Sequence, residues 1–103
     1  SVLQAVDISI MRYLKGKKQL DFLRINHPRD FERLKKICSQ LEEDVVIDSL
    51  SKISNKKKFI KDLTNDVELK INNELKGFDT IMIKDLANQV VSSWVLECSL
   101  NFN

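Results

Sequence analysis

The chain has 103 residues, 31% of them charged and 43% hydrophobic, and its 17 basic and 15 acidic side chains leave a net charge of +2. That length suits one domain covering residues 1–103. Two glycines and one proline cannot supply the turns that sheets and long loops consume, which excludes collagen-like, low-complexity and disulfide-scaffold classes and leaves an all-α domain.

Apolar residues at Val2, Val6, Ile10 and Leu14 form an i, i+4 ladder that predicts a helix, with Leu3 and Tyr13 broadening its stripe. Gly16 followed by two lysines reads as its C-terminal stop. Leu20, Phe22, Leu23 and Ile25 suit either one or two helical turns or an extended stretch, of which a short helix is the expectation. Asn26-His27-Pro28 marks a boundary, because proline at the first helical position has its φ already set and loses no needed donor. Asp30 and Glu32 put negative charge near that helix start, and Phe31, Leu34, Cys38 and Leu41 form its inward stripe with Ile37 beside them.

The acidic triplet Glu42-Glu43-Asp44 suits the start of a next helix carrying Val46, Leu50 and Ile53, closed by Ser54-Asn55. Lys56 to Leu63 reads as a short helix with Phe59, Ile60 and Leu63 inward. Thr64-Asn65-Asp66 then offers capping oxygens to another from Val67 to Lys76, with Val67, Ile71 and Leu75 spaced by four. Gly77 ends it, and Asp79 or Thr80 caps the longest helix, running to about Leu100 with Ile83, Leu86, Val90, Trp94 and Cys98 inward. The expectation is a compact bundle of five to six short helices with a long C-terminal helix.

Charge and cysteine usage set the surroundings. The lysine and arginine clusters at Lys15, Lys17 and Lys18, at Arg33, Lys35 and Lys36, and at Lys56 to Lys58 read first as solvated helix surface. Nucleic-acid binding would need them gathered on one face. Cys38 and Cys98 read as buried thiols in a reducing compartment. No apolar run approaches the ~20 residues a membrane span needs. The sequence opens on Ser1, which reads as a fragment of a longer chain, so a targeting signal can lie outside it.

Catalytic chemistry finds no support. His27 is the one histidine, the two cysteines lack Cys-x-x-Cys spacing, and two isolated glycines cannot build a phosphate-cradling loop. A non-enzymatic role with no cofactor and no metal is the expectation.

The last third is more specific. Ile83-Lys84-Asp85-Leu86-Ala87-Asn88-Gln89-Val90-Val91-Ser92-Ser93-Trp94 resembles the closing helix of the TFIIS N-terminal domain (LW domain) family, which reads Ile-x-x-Leu-Ala-x-x-Leu-Ile/Val-x-x-Trp. Leu63 to Val67 and Ile71 to Lys76 resemble the segment before it. They depart from the family in lacking a glycine near Val67 and in a one-residue longer step from Ile71 to Leu75. The resemblance spans about residues 45 to 96, and residues 1–26 have no counterpart in the short version of the family. The same spacing has a packing reading of its own: Leu86, Val90 and Trp94 are successive i+4 positions, and Ala87 permits close helix approach.

The resemblance implies a right-handed helical bundle over 28–101, preceded by an extra N-terminal segment. It implies a nuclear interaction module of a transcription elongation or chromatin-associated factor, binding short disordered peptides that carry acidic and bulky apolar residues. The related integrase-binding domain uses two inter-helix loops for this work. The matching loop here is Lys76-Gly77-Phe78-Asp79-Thr80, with Phe78 either folded back onto the helix end or offered to a partner. A second loop is expected near Leu41 to Asp44, and Lys56, Lys57, Lys58 and Lys76 are expected to meet the acidic flanks. Direct nucleic-acid binding through the lysine clusters is the alternative. A third reading is a helical dimerisation or assembly piece built on the Val2, Val6, Ile10 and Leu14 stripe.

Overall fold

A computed structural model describes residues 2–44 and 55–101, with side-chain surroundings for 11–41 and 55–96. Among the described residues there are four helices and no strands: α1 (Val2–Asn26), α2 (Pro28–Asp44), α3 (Lys56–Glu74) and α4 (Thr80–Asn101). The chain is compact, with a radius of gyration of 13.4 Å and extents of 37 × 25 × 21 Å. The expected helix at 45–54 lies outside the described residues.

The expected count falls because two pairs of segments are continuous. Gly16 does not stop a helix: α1 runs through it, so Leu20 to Ile25 belongs to the same 25-residue helix. Lys56 to Leu63 and Val67 to Lys76 likewise join as the 19-residue α3. Thr64 does not cap a new helix there, because its hydroxyl donates to the Ile60 carbonyl one turn back at 2.7 Å. That bond satisfies the polar side chain inside a continuing helix. The longest helix is α1, not the 22-residue C-terminal α4. Glu42-Glu43-Asp44 ends α2 rather than starting a helix.

One residue separates α1 from α2. The His27 N–H donates to the Leu23 carbonyl at 2.7 Å and the Phe31 N–H donates to the His27 carbonyl at 3.0 Å. His27 therefore closes one helix and opens the next, with Pro28 at the first helical position as its missing donor requires. At the far end of the chain, α3 stops at Glu74 and not at Gly77, with Leu75 extended at φ −107° and ψ 91°. Gly77 follows in the turn with a φ of 94°, a conformation that a side chain resists.

The core gathers around α4. From Met82 to Trp94 its residues are buried on nearly every side: Met82, Ile83, Leu86, Ala87, Val90, Val91 and Trp94, with Asp85, Gln89 and Ser92 among the polar ones. A helix buried all round needs neighbours on several faces. Here α1 makes the largest interface with it and α3 the next, while α2 packs on α1 and α3. Leu23 from α1, Leu34 from α2, and Val67, Ile71 and Leu75 from α3 complete one cluster with it. Ile37 is also buried, while Phe31, Cys38 and Leu41 are half-buried beside it.

α1 packs with the rest of the bundle, supplying Leu23 to the shared core. Of the expected stripe of α1, Val2, Val6 and Ile10 lie outside the residues whose surroundings are described, and Leu14 does not pack inward. Leu14 is 57% exposed, because each i+4 step rotates about 40° beyond a full turn, and three steps carry the ladder round the helix. The inward face is instead set by Gly16, Leu20 and Leu23.

Gly16 is where α1 crosses α4. A Cβ built there would collide with the Asp85 carbonyl oxygen and the Gln89 Cβ, and would lie 3.2 Å from the Gln89 Cα. The absence of a side chain thus lets two backbones meet. Beside the crossing, Lys15 Nζ stands 3.8 Å from Asp85 Oδ1, whose side chain is nearly buried while the lysine is exposed.

Candidate functional site

The turn after α3 is fixed from both sides. Gly77 supplies the left-handed φ, and Asp79 caps α4 by accepting from the Met82 N–H at 2.7 Å through its Oδ1. Between them Phe78 is half-buried and packs against the core cluster. It folds back onto the bundle, yet keeps part of its surface in water.

Its neighbour across space is His27. The two rings meet edge-on, with centroids 5.1 Å apart and planes at 90°, the T-shaped arrangement that ring quadrupoles favour. Phe22 flanks His27 from the other side at 5.7 Å and 53°. The residues Phe22, His27 and Phe78 form an aromatic row at one end of the bundle, where the α1–α2 junction meets the α3–α4 turn. His27 is exposed and Phe22 is 47% exposed. Ile25 on the same end is 67% exposed.

The inter-helix junction that accompanies Phe78 is thus His27, between α1 and α2, not Leu41 to Asp44. The latter stretch is helical, within α2. Sequence reading placed His27 only at a helix boundary. Its ring contact with Phe78 joins residues some fifty positions apart, which no local spacing reveals.

The expected site residues divide into groups. Lys76, Gly77 and Phe78 lie together in the turn, and exposed Thr80 opens α4 beside them. Asp79 is engaged in its cap. Lys56, Lys57 and Lys58 occupy the opposite end of α3, all exposed, with the Asn55 side chain accepting from the Lys58 N–H at 3.1 Å. At 1.5 Å rise per residue, the length of α3 puts them about 25 Å from the turn. Arg29, exposed at the start of α2, is the cation that the junction itself adds. The core set Ile83, Leu86, Ala87, Val90 and Trp94 is buried.

Asp79→Ala is expected to lower stability by about 1 kcal/mol through the lost cap, a fall in Tm of about 4–8 °C. Differential scanning calorimetry checks this, and an unchanged melt would remove the cap from the account.

Two clefts flank this end and the middle of the bundle. One of about 310 Å³ lies between α3 and α4, lined by Asn65, Glu68, Leu69, Asn72, Thr80 and Ile83. The other, about 380 Å³, is a groove floored by Leu20, Leu34, Val90 and Trp94 and edged by Phe31 and Cys38. No group of three or more His, Cys, Asp or Glu side chains able to hold a metal occurs among the described residues. No helix among them is long and apolar enough to cross a membrane. Compared with protein-family models, with curated proteins and with solved structures, the chain finds no match.

Proposed function

We propose that the chain is a protein–protein interaction module of the TFIIS N-terminal-domain type. In this reading it serves a transcription elongation or chromatin-associated factor in the nucleus and binds short disordered peptides with acidic and bulky apolar residues. The observation that carries the reading is the aromatic row Phe22, His27 and Phe78, half-open to solvent where two inter-helix junctions meet. The Ile83-to-Trp94 spacing supports the family assignment. A ligand side chain laid on the row would bury apolar surface against rings of which Phe78 is held by the core. Its carboxylates would meet Lys76 and Arg29, which are exposed and stand two residues from Phe78 and His27 in the chain. Because Lys56, Lys57 and Lys58 stand about 25 Å away along α3, they would reach only the flank of a long ligand. Affinity is expected to be modest, since the ligand orders as it binds.

Phe78→Ala is the test, measured by calorimetry against peptides of that composition. The expected result is at least a tenfold loss of affinity. Phe78 also packs on the core, so the variant should melt a few degrees lower, and binding is measured well below that point. Lys76→Glu, at an exposed position, should weaken the same peptides without moving Tm. Affinities unchanged in both variants would exclude this site. In affinity capture from nuclear extract, proteins lost with Phe78→Ala should be transcription or chromatin factors bearing such motifs, and an empty difference list would oppose the reading.

A further inference from the structure

Met11, Leu14, Lys18, Phe22 and Ile25 stand at i, i+3, i+7, i+11 and i+14 of α1, a spacing that holds them on one side of a helix. Four of the five are apolar, and all four face water: Met11 is 71% exposed, Leu14 57%, Phe22 47% and Ile25 67%. The other side of α1 is the one that carries Gly16 and Leu23 into the bundle. A helix packed by one face ordinarily turns polar residues to solvent on the opposite face. Here that outer face is an apolar stripe about 20 Å long at 1.5 Å per residue.

The charges beside the stripe have one dominant sign. Arg12, Lys15, Lys17, Lys18 and Arg24 are all exposed. The acid within this stretch, Asp21, is held by Arg24 at 3.8 Å. Lys15 reaches Asp85 across the α1–α4 crossing but keeps its side chain 73% exposed. Arg12, Lys17 and Lys18 have no ion pair among the described residues. An apolar stripe edged by unpaired cations is complementary to an apolar stripe edged by carboxylates.

We propose that the outer face of α1 docks an acidic amphipathic helix of about four turns supplied by a partner protein. Its apolar residues, repeating every three to four positions from i to i+14, would lie along Met11, Leu14, Phe22 and Ile25. Its glutamates or aspartates would flank them and meet Arg12, Lys15, Lys17 and Lys18. A second copy of this chain fits poorly, because α1 carries five cationic residues against two acidic ones and pairing it with itself sets like charges together. This surface shares Phe22 with the aromatic row but runs away from the Phe78 turn along α1 to Met11, and the inference does not rest on the function proposed there.

The test uses a labelled synthetic helix of fifteen residues with leucines along one face and glutamates beside them, titrated with the 103-residue chain by fluorescence anisotropy and followed by NMR. Saturable binding is expected, with shift changes concentrated over residues 11–25. Met11→Glu with Leu14→Glu should weaken it at least tenfold while leaving Tm unchanged, since both side chains are already in water. A peptide with lysines in place of the glutamates should bind at least tenfold more weakly. Phe78→Ala should leave the affinity unchanged, which separates this face from the other. Absence of binding at about millimolar peptide, equal binding of the lysine version, or shifts confined elsewhere would overturn the proposal. So would sedimentation showing a dimer of the chain that Leu14→Glu splits, for the stripe would then already be covered by a second copy.

Discussion

Trp94→Ala is expected to cost the domain about 3–5 kcal/mol, the range for emptying a buried large aromatic site. Trp94 is 5% exposed and belongs to the cluster that α1, α2, α3 and α4 share. Its ring also lines the groove above Leu20, Leu34 and Val90, so truncation would deepen an existing cleft rather than let the walls close. Small domains hold a total stability of about 5–15 kcal/mol, and such a loss leaves the variant partly or wholly unfolded at 25 °C. Denaturant unfolding followed by far-ultraviolet circular dichroism measures it directly, because the variant no longer contains the chain's one tryptophan. A midpoint equal to that of the unmodified chain would contradict its place in the core.

Gly16→Ala is expected to destabilise by about 2 kcal/mol, against what helix propensity alone would say. In a solvent-facing helix interior the change would gain up to ~1 kcal/mol, because alanine loses less conformational entropy than glycine. The added methyl here meets the Asp85 carbonyl oxygen and the Gln89 Cβ. The first is backbone, so no rotamer change relieves the clash, and α1 and α4 must separate. Overpacking of this kind costs about 1–3 kcal/mol and sometimes more, since separated helices lose contacts along both sides of the crossing. A net Tm fall of about 10 °C follows for a domain of this size. A Tm that stays level or rises would mean that the helices do not cross at Gly16.

The two glycines show what local pattern can and cannot tell. Gly77 was legible as a turn, and its φ of 94° is the conformation that makes glycine useful there. Gly16 followed by lysines has the same local appearance. What distinguishes it is the closeness of Asp85 and Gln89, some seventy positions away, which no window of neighbouring residues contains. Leu14 failed for a different reason: an unbroken i, i+4 ladder slips round the helix, and packing chooses the face. Thr64 had two uses for its hydroxyl, a cap or a bond to the carbonyl one turn back, and the apolar residues on either side favoured continuity.

The segment from Ile83 to Trp94 was legible because nearly all of it is interior, so spacing and burial agree. Pro28 and Asp79 were legible because helix starts are decided by nearby donors. Of the candidate site, the turn holding Phe78 could be read and its company could not. His27 joins it only because α1 and α2 meet after a single residue.

The pairing of α1 with α4 also governs the order in which this chain can acquire structure. The principal interface joins the first helix described to the last, with more than fifty residues between Asn26 and Thr80. On a ribosome adding about 5–20 residues per second, α1 waits several seconds for the helix it must grip. During that interval Leu23 and the bare backbone at Gly16 have no native neighbour from α4. A chain truncated before Thr80 would therefore lack the larger part of what α1 packs against, and the earliest moment at which the bundle can close is set by translation speed.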